Sequence, residues 1–159
     1  MNRLEQMVET MKVRAFGMTK IPLIWWVTPS VKEVSVSRTE IVIPLNRRTR
    51  NHLNSMYFGA LAIGADLAGG LLFMNLMSKS GLKASFVFKD MTAKFLKRAD
   101  GDVHFVSESG RDVEELVRRV RESPERQEAL LEIKALVPKK YGTEPVAVFT
   151  LTLSVKRKS

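Results

Sequence analysis

The sequence predicts an α+β fold in which a curved antiparallel β-sheet wraps around one long apolar central helix, with extra N-terminal and surface helices. Two observations carry this. The segment from Tyr57 to Met77 holds one charged side chain, Asp66. Around it lie stretches of β-branched or alternating character: Val31 to Leu45 before it, and Ala84 to Leu96, Glu128 to Val137 and Pro145 to Val155 after it, with Asp102 to Ser107 as a shorter one. A helix that is apolar all round needs cover on nearly every side. A curved sheet supplies most of that cover, and a second subunit can close the remaining face.

In chain order, Leu4, Met7, Val8, Met11 and Val13 approximate a helical stripe running to Phe16. Residues 1–27 therefore read as a helical extension. The run Ile21 to Val27 contains Pro22, is too short to span a bilayer, and reads as a buried segment before the first strand. Val34 and Val36 alternate with serines, and Ile41, Ile43 and Leu45 continue the two-fold pattern. One long strand, bent or bulged near Arg38 to Glu40, accounts for the change of face. The central helix is placed at residues 57–77. Its length suits a membrane span, but a bilayer would penalise Asp66 near its middle by roughly 2.5 to 3.5 kcal/mol, so protein and not lipid is expected to bury it. Ala60, Gly64, Ala65, Ala68, Gly69 and Gly70 keep it narrow. Ser109 to Asp112 reads as the start of a short surface helix with Val113, Leu116, Val117 and Val120 on one face, ended by Ser123-Pro124. Lys89-Asp90 reads as a surface ion pair. No repeat or linker divides the chain, so residues 1–159 are taken as a single domain.

Composition narrows the chemistry. The chain has no cysteine, which removes disulfides, thiolate zinc sites, redox pairs and cysteine nucleophiles, and suits the cytoplasm. The N-terminus lacks a secretory pattern. His52 and His104 fall in different elements with no metal-ligand spacing, so surface or capping roles are expected for both and no metal. No GxSxG elbow is present. Lysine and arginine number 26 against 17 acidic residues, a formal charge of +9, which favours an anionic partner. Nucleic acid, anionic lipid and coenzyme phosphates would all satisfy it; nucleic acid ranks last because no recognition motif accompanies the charge. Trp25 and Trp26 are expected against the sheet or a subunit interface. Met74 and Met77 are expected to pack, and would also suit an acyl tunnel.

Asp66 is the residue to single out, because a carboxylate on an apolar helix is costly without a partner or a task. The bland role is an aspartate bonded to backbone or to a partner subunit's arginine. Asn51, Asn54 and Ser55 are candidate caps for a helix starting near Ser55 or Met56, whose first free amides near Tyr57, Phe58 and Gly59 would favour developing negative charge. Gly59 and Asp66 are seven residues apart, or roughly 10 Å along a helix axis, too far for one helix to present both to one carbonyl. Two antiparallel helices across a two-fold interface can do so.

The run Asn51-His52-Leu53-Asn54-Ser55-Met56-Tyr57-Phe58-Gly59-Ala60-Leu61, continuing to Ala65-Asp66-Leu67-Ala68, resembles the signature of PaaI-like (phenylacetyl-CoA-type) hotdog thioesterases. Those proteins carry an asparagine, a histidine-glycine-glycine turn into the central helix, and an alanine-aspartate inside it. The resemblance places Asn51 on their asparagine, Gly59 on their second glycine and Asp66 on their catalytic aspartate. It implies a hotdog fold and hydrolysis of an acyl-CoA thioester, with Asp66 as general base or nucleophile, amides at Phe58 or Gly59 of a neighbouring subunit as oxyanion site, and Asn51 orienting water or substrate. Met56, Tyr57 and Phe58 would line the substrate site, with no cofactor beyond the coenzyme A of the substrate, in a homodimer or a homotetramer built as a dimer of dimers. Two positions depart from the signature: Tyr57 stands at the histidine and Phe58 at the first glycine. That bulkier helix start favours the alternative, a hotdog module that binds acyl-CoA or lipid without hydrolysing it. Retention of Asp66 favours the enzyme.

Overall fold

The computed structural model describes residues 1–158. In chain order its elements are helices α1 (Arg3–Lys20) and α2 (Pro22–Trp26), strands β1 (Ser30–Val34) and β2 (Thr39–Ile43), helix α3 (Phe58–Ser80), strands β3 (Ala84–Phe95) and β4 (Val103–Ser107), helix α4 (Gly110–Glu122), strand β5 (Gln127–Leu136), the short helix α5 (Pro138–Tyr141) and strand β6 (Pro145–Arg157). The strands form one antiparallel sheet in the order β1-β2-β4-β5-β6-β3. It wraps around α3, which is the hotdog arrangement.

The composition of α3 explains its position. Small residues let it press onto the sheet: at Gly64 a side chain would meet the Phe105 ring at 2.3 Å, so only glycine fits there. One turn on, the buried Thr39 of β2 donates its hydroxyl to the Ala68 carbonyl at 2.8 Å, which ties helix to sheet with a satisfied polar contact. The helix ends at Gly81, whose φ of 67° is the left-handed conformation that glycine adopts freely. Although α3 is long and apolar enough to cross a membrane, most of it is buried by its own chain, and it is a core helix.

The two edges of the sheet are treated differently. Beside β1 lies α1, opened by a capping box in which Asn2 and Glu5 exchange side-chain and backbone bonds at 2.8 and 2.9 Å. Its Thr10 hydroxyl accepts from the Val31 N–H at 2.9 Å and its Gln6 amide donates to the Lys32 carbonyl at 3.0 Å, so side chains of α1 occupy polar groups that an edge strand leaves open. At the other edge, no side chain among the described residues does this for the free side of β3. The strand carries a bulge between Phe88 and Asp90. Beyond it, Met91 and Phe95 pair in register with the inward-facing Leu151 and Ala147, yet remain 38% and 55% exposed. The concave face is thus uncovered at that end.

Several local expectations are corrected. The segment before α3 is no single bent strand but a hairpin, β1 and β2, closed where Ser35 N–H donates to the Arg38 carbonyl at 2.8 Å. Arg38 then pairs with Glu33 on one strand and Glu40 on the other, a cross-strand pairing that alternation alone does not reveal. Residues 22–26 form α2, with only Ile24 buried; within the chain Trp25 and Trp26 lie half-exposed beneath the Arg48 guanidinium and not against the sheet, which leaves the subunit interface as their expected place. Lys89 pairs with Glu128 at 2.7 Å, not with Asp90, which accepts from the Thr152 hydroxyl. Helix α4 buries its Val113, Leu116, Val117 and Val120 face as its spacing predicts.

Candidate active site

The helix start gathers five of the six residues singled out from the sequence. Asn51 organises the preceding loop: its Oδ1 accepts from the N–H groups of Leu53 at 2.9 Å and Ser55 at 3.2 Å, and its own N–H donates to the Ser55 carbonyl at 2.7 Å. Met56 is buried in the core and donates its N–H to the Ala99 carbonyl. The helix begins later than expected, at Phe58, and none of Asn51, Asn54 or Ser55 caps it; extended Tyr57 is the N-cap, without a side-chain bond. Ser55 instead accepts from the Arg98 side chain at 3.1 Å. Tyr57 N–H donates to Thr49, and the N–H groups of Ala60 and Leu61 both reach the Tyr57 carbonyl. Between them, the amides of Phe58 and Gly59 have no backbone partner among the described residues, at the positive end of a long helix dipole. The Tyr57 and Phe58 rings, 4.8 Å apart, stand exposed around these amides.

Asp66 lies elsewhere, further along α3. It is half-buried and lines a groove of about 700 Å³ between α3, α1, and the Phe86 and Phe88 side chains of β3. Burial alone pushes its carboxyl above the usual aspartate range; no hydrogen bond or neighbouring charge among the described residues offsets that. Within one chain, then, the helix-start amides and the carboxylate are not brought together. The groove wall formed by α1, with Val13 and Phe16, was not anticipated as part of a site. The helical stripe in the first residues was visible, but not what it would face.

The other ionised cluster is structural in form. Glu40 accepts from Arg38 and contacts His104 Nδ1 at 2.7 Å; the hydrogen bond to His104, reinforced by Arg38, lowers its carboxyl to about 2. It lies on β2 and β4, apart from the groove. Among the described residues, no group of histidine, aspartate and glutamate side chains could hold a metal ion.

Residues 10–155 match the family described as a domain of unknown function, DUF4442. No curated protein sequence matches the chain. Among solved structures, PA5026 of Pseudomonas aeruginosa, described as a protein of unknown function and probable thioesterase, superposes with a TM-score of 0.78 at 23% identity, covering 94% of this chain and 96% of that one. A variant of the thioesterase SAV0944 of Staphylococcus aureus gives 0.65 at 18% identity, covering 85% and 98%. A variant of the thioesterase PA1618 of Pseudomonas aeruginosa gives 0.65 at 16%, covering 94% of each chain. These similarities are of fold.

Proposed function

From the membership of this chain in the DUF4442 family and the hotdog fold it shares with thioesterases, we propose that it hydrolyses an acyl-CoA thioester at a site shared between two copies of the chain. The observation that carries this reading is Asp66: a half-buried carboxylate on the core helix, without a hydrogen-bond or charge partner among the described residues, facing a mainly apolar groove. As general base it takes a proton from water while the water oxygen attacks the thioester carbonyl; collapse of the tetrahedral intermediate then expels the coenzyme thiolate. Attack by the carboxylate itself, through an anhydride that water later cleaves, uses the same placement.

The oxyanion requires donors that Asp66's own chain does not bring near. A second copy, related by a two-fold axis, would bring the Phe58 and Gly59 amides of its helix start to the carbonyl oxygen, with Tyr57, Phe58 and Met56 shaping that wall. The Asn51 Oδ1 is engaged in its loop, so its Nδ2 amide is the group left to orient water or substrate. The free edge of β3 and the uncovered Met91 and Phe95 are where the second copy would dock. Such a dimer, alone or paired into a tetramer, follows the PaaI-like pattern. The net charge of +9 suits coenzyme phosphates, and the absence of cysteine suits the cytoplasm.

Free-thiol release from a panel of short, medium, long and aromatic acyl-CoAs tests the reading. Asp66→Ala, checked for folding and assembly, is expected to lower turnover by about 10²- to 10⁴-fold, the span of general-base contributions. A second reading rests on Tyr57 and Phe58 crowding the helix start: a module that binds acyl-CoA without cleaving it. Saturable binding with no thiol release by the wild-type protein would select it.

A further inference from the structure

We infer that the groove between α1 and α3 holds the acyl part of the substrate, and that its shape selects an unbranched aliphatic chain of medium length over an aromatic acyl group; this rests on the proposed thioester chemistry at Asp66. Its floor is a ridge of α3 residues at four-residue spacing, Asp66, Gly70, Met74 and Ser78, which lie above one another on a helix face. Asp66 is where the carbonyl would stand, so the chain must run along the ridge away from it.

The groove changes character along its length. Near Asp66 the opposing wall is apolar, with Phe16, Ile21 and Ile24. At the other end it becomes polar, with Glu5, Asn75 and Ser78, and between the two ends the α1 wall carries Glu9 and Lys12, which pair with each other at 2.6 Å. The N-terminus of α1 and the C-terminal part of α3 meet there at one hairpin: Val34 N–H donates to the Met1 sulfur, and the Asn75 side chain donates to the Ser35 carbonyl at 2.8 Å. The α3 floor is apolar beyond Asp66, through Leu67, Gly70 and Leu71 to Met74, eight residues and about 12 Å of helix. An extended chain advances about 1.2 Å per bond, as the backbone does over its three bonds per residue, so about ten carbons cover this floor before it turns polar at Asn75. An aryl acyl group would leave most of it empty, and a much longer chain would place methylenes against Glu5 and Asn75.

Gly70 makes the inference testable. It lies on the ridge about 6 Å beyond Asp66, roughly halfway along the apolar stretch. A Cβ there would meet only the Phe88 ring, at 3.8 Å, an ordinary contact at a position that lines the groove. Leucine is also a good helix former.

The experiment compares wild type with Gly70→Leu on butanoyl-, decanoyl- and phenylacetyl-CoA, by thiol release and by binding of the uncleavable S-butyl, S-decyl and S-phenethyl thioethers of coenzyme A. The wild-type protein is expected to prefer the ten-carbon compound in both assays. In Gly70→Leu the decanoyl-to-butanoyl ratio should fall at least about tenfold, since even one methylene group in an apolar pocket is worth 10-fold or more. Preference of the wild type for the butyl or aromatic compounds, or a ratio unmoved by Gly70→Leu, would overturn the groove assignment while leaving hydrolysis intact. Chain-length-dependent thioether binding that Gly70→Leu abolishes, with no thiol release, would instead uphold the groove and sink the hydrolytic reading.

Discussion

Asp66 and Glu40 show how the same chemical group acquires opposite character from its surroundings. Glu40 is held ionised by His104 and Arg38. Asp66, with burial and no partner, is held towards the protonated form. Because its folded-state pKa lies above the ordinary value of 3.8, the protonated form favours folding: that stability is complete below the unfolded pKa and is lost as pH rises through the raised folded value. At neutral pH the ionised carboxylate therefore weakens the fold. Asp66→Asn, which keeps the shape and removes the charge, should raise the urea midpoint relative to wild type at pH 7, and the gain should vanish below the unfolded pKa. Equal midpoints at both pH values would mean that Asp66 is solvated like a surface residue, and its case as a functional group would weaken.

At the scale of elements, the closeness of α3 to the sheet depends on individual glycines, and two of them predict opposite outcomes for one substitution. Gly64→Ala would gain about 1 kcal/mol of helix propensity. Its Cβ, however, falls 2.3 to 2.5 Å from three atoms of the fully buried Phe105 ring, and overpacking of this kind costs about 1 to 3 kcal/mol. Gly70→Ala gains the same propensity with its nearest neighbour at 3.8 Å. Chemical denaturation should therefore show Gly64→Ala less stable than wild type and Gly70→Ala more stable. The sequence made the helix legible, because a long segment with one charge has few other folded forms, and the strands were legible from alternation. It did not reveal the β1–β2 hairpin, whose turn Ser35-Val36-Ser37-Arg38 lacks glycine, asparagine and proline and is closed by hydrogen bonds and by an arginine bridging two glutamates. Nor did it reveal the groove, since which face of α1 meets α3 depends on the long-range bonds of Gln6, Thr10 and Arg14 to residues 28–32. Asp66 was visible as an anomaly of charge; the walls around it are a product of tertiary packing.

For the whole molecule, the separation of Asp66 from the Phe58 and Gly59 amides makes the proposed site a property of two chains, and this can be tested by mixing defective subunits. The donor at Phe58 can be deleted without disturbing the helix. It occupies the first helical position, where proline is well tolerated, and the preceding Tyr57 has φ −63° and ψ 139°, the extended backbone that a following proline requires. Phe58→Pro removes the N–H, and Phe58→Ala controls for loss of the ring. Each of Phe58→Pro and Asp66→Ala should be inactive alone. In a dimer containing one of each, one site combines both defects, while the other joins an intact Asp66 from the first chain to an intact helix start from the second. Random reassembly of equal amounts makes half the dimers mixed, each with one good site of two, so activity should return to about a quarter of the wild-type level. If the amide and the carboxylate served the same substrate within one chain, every site would stay defective and mixing would restore nothing.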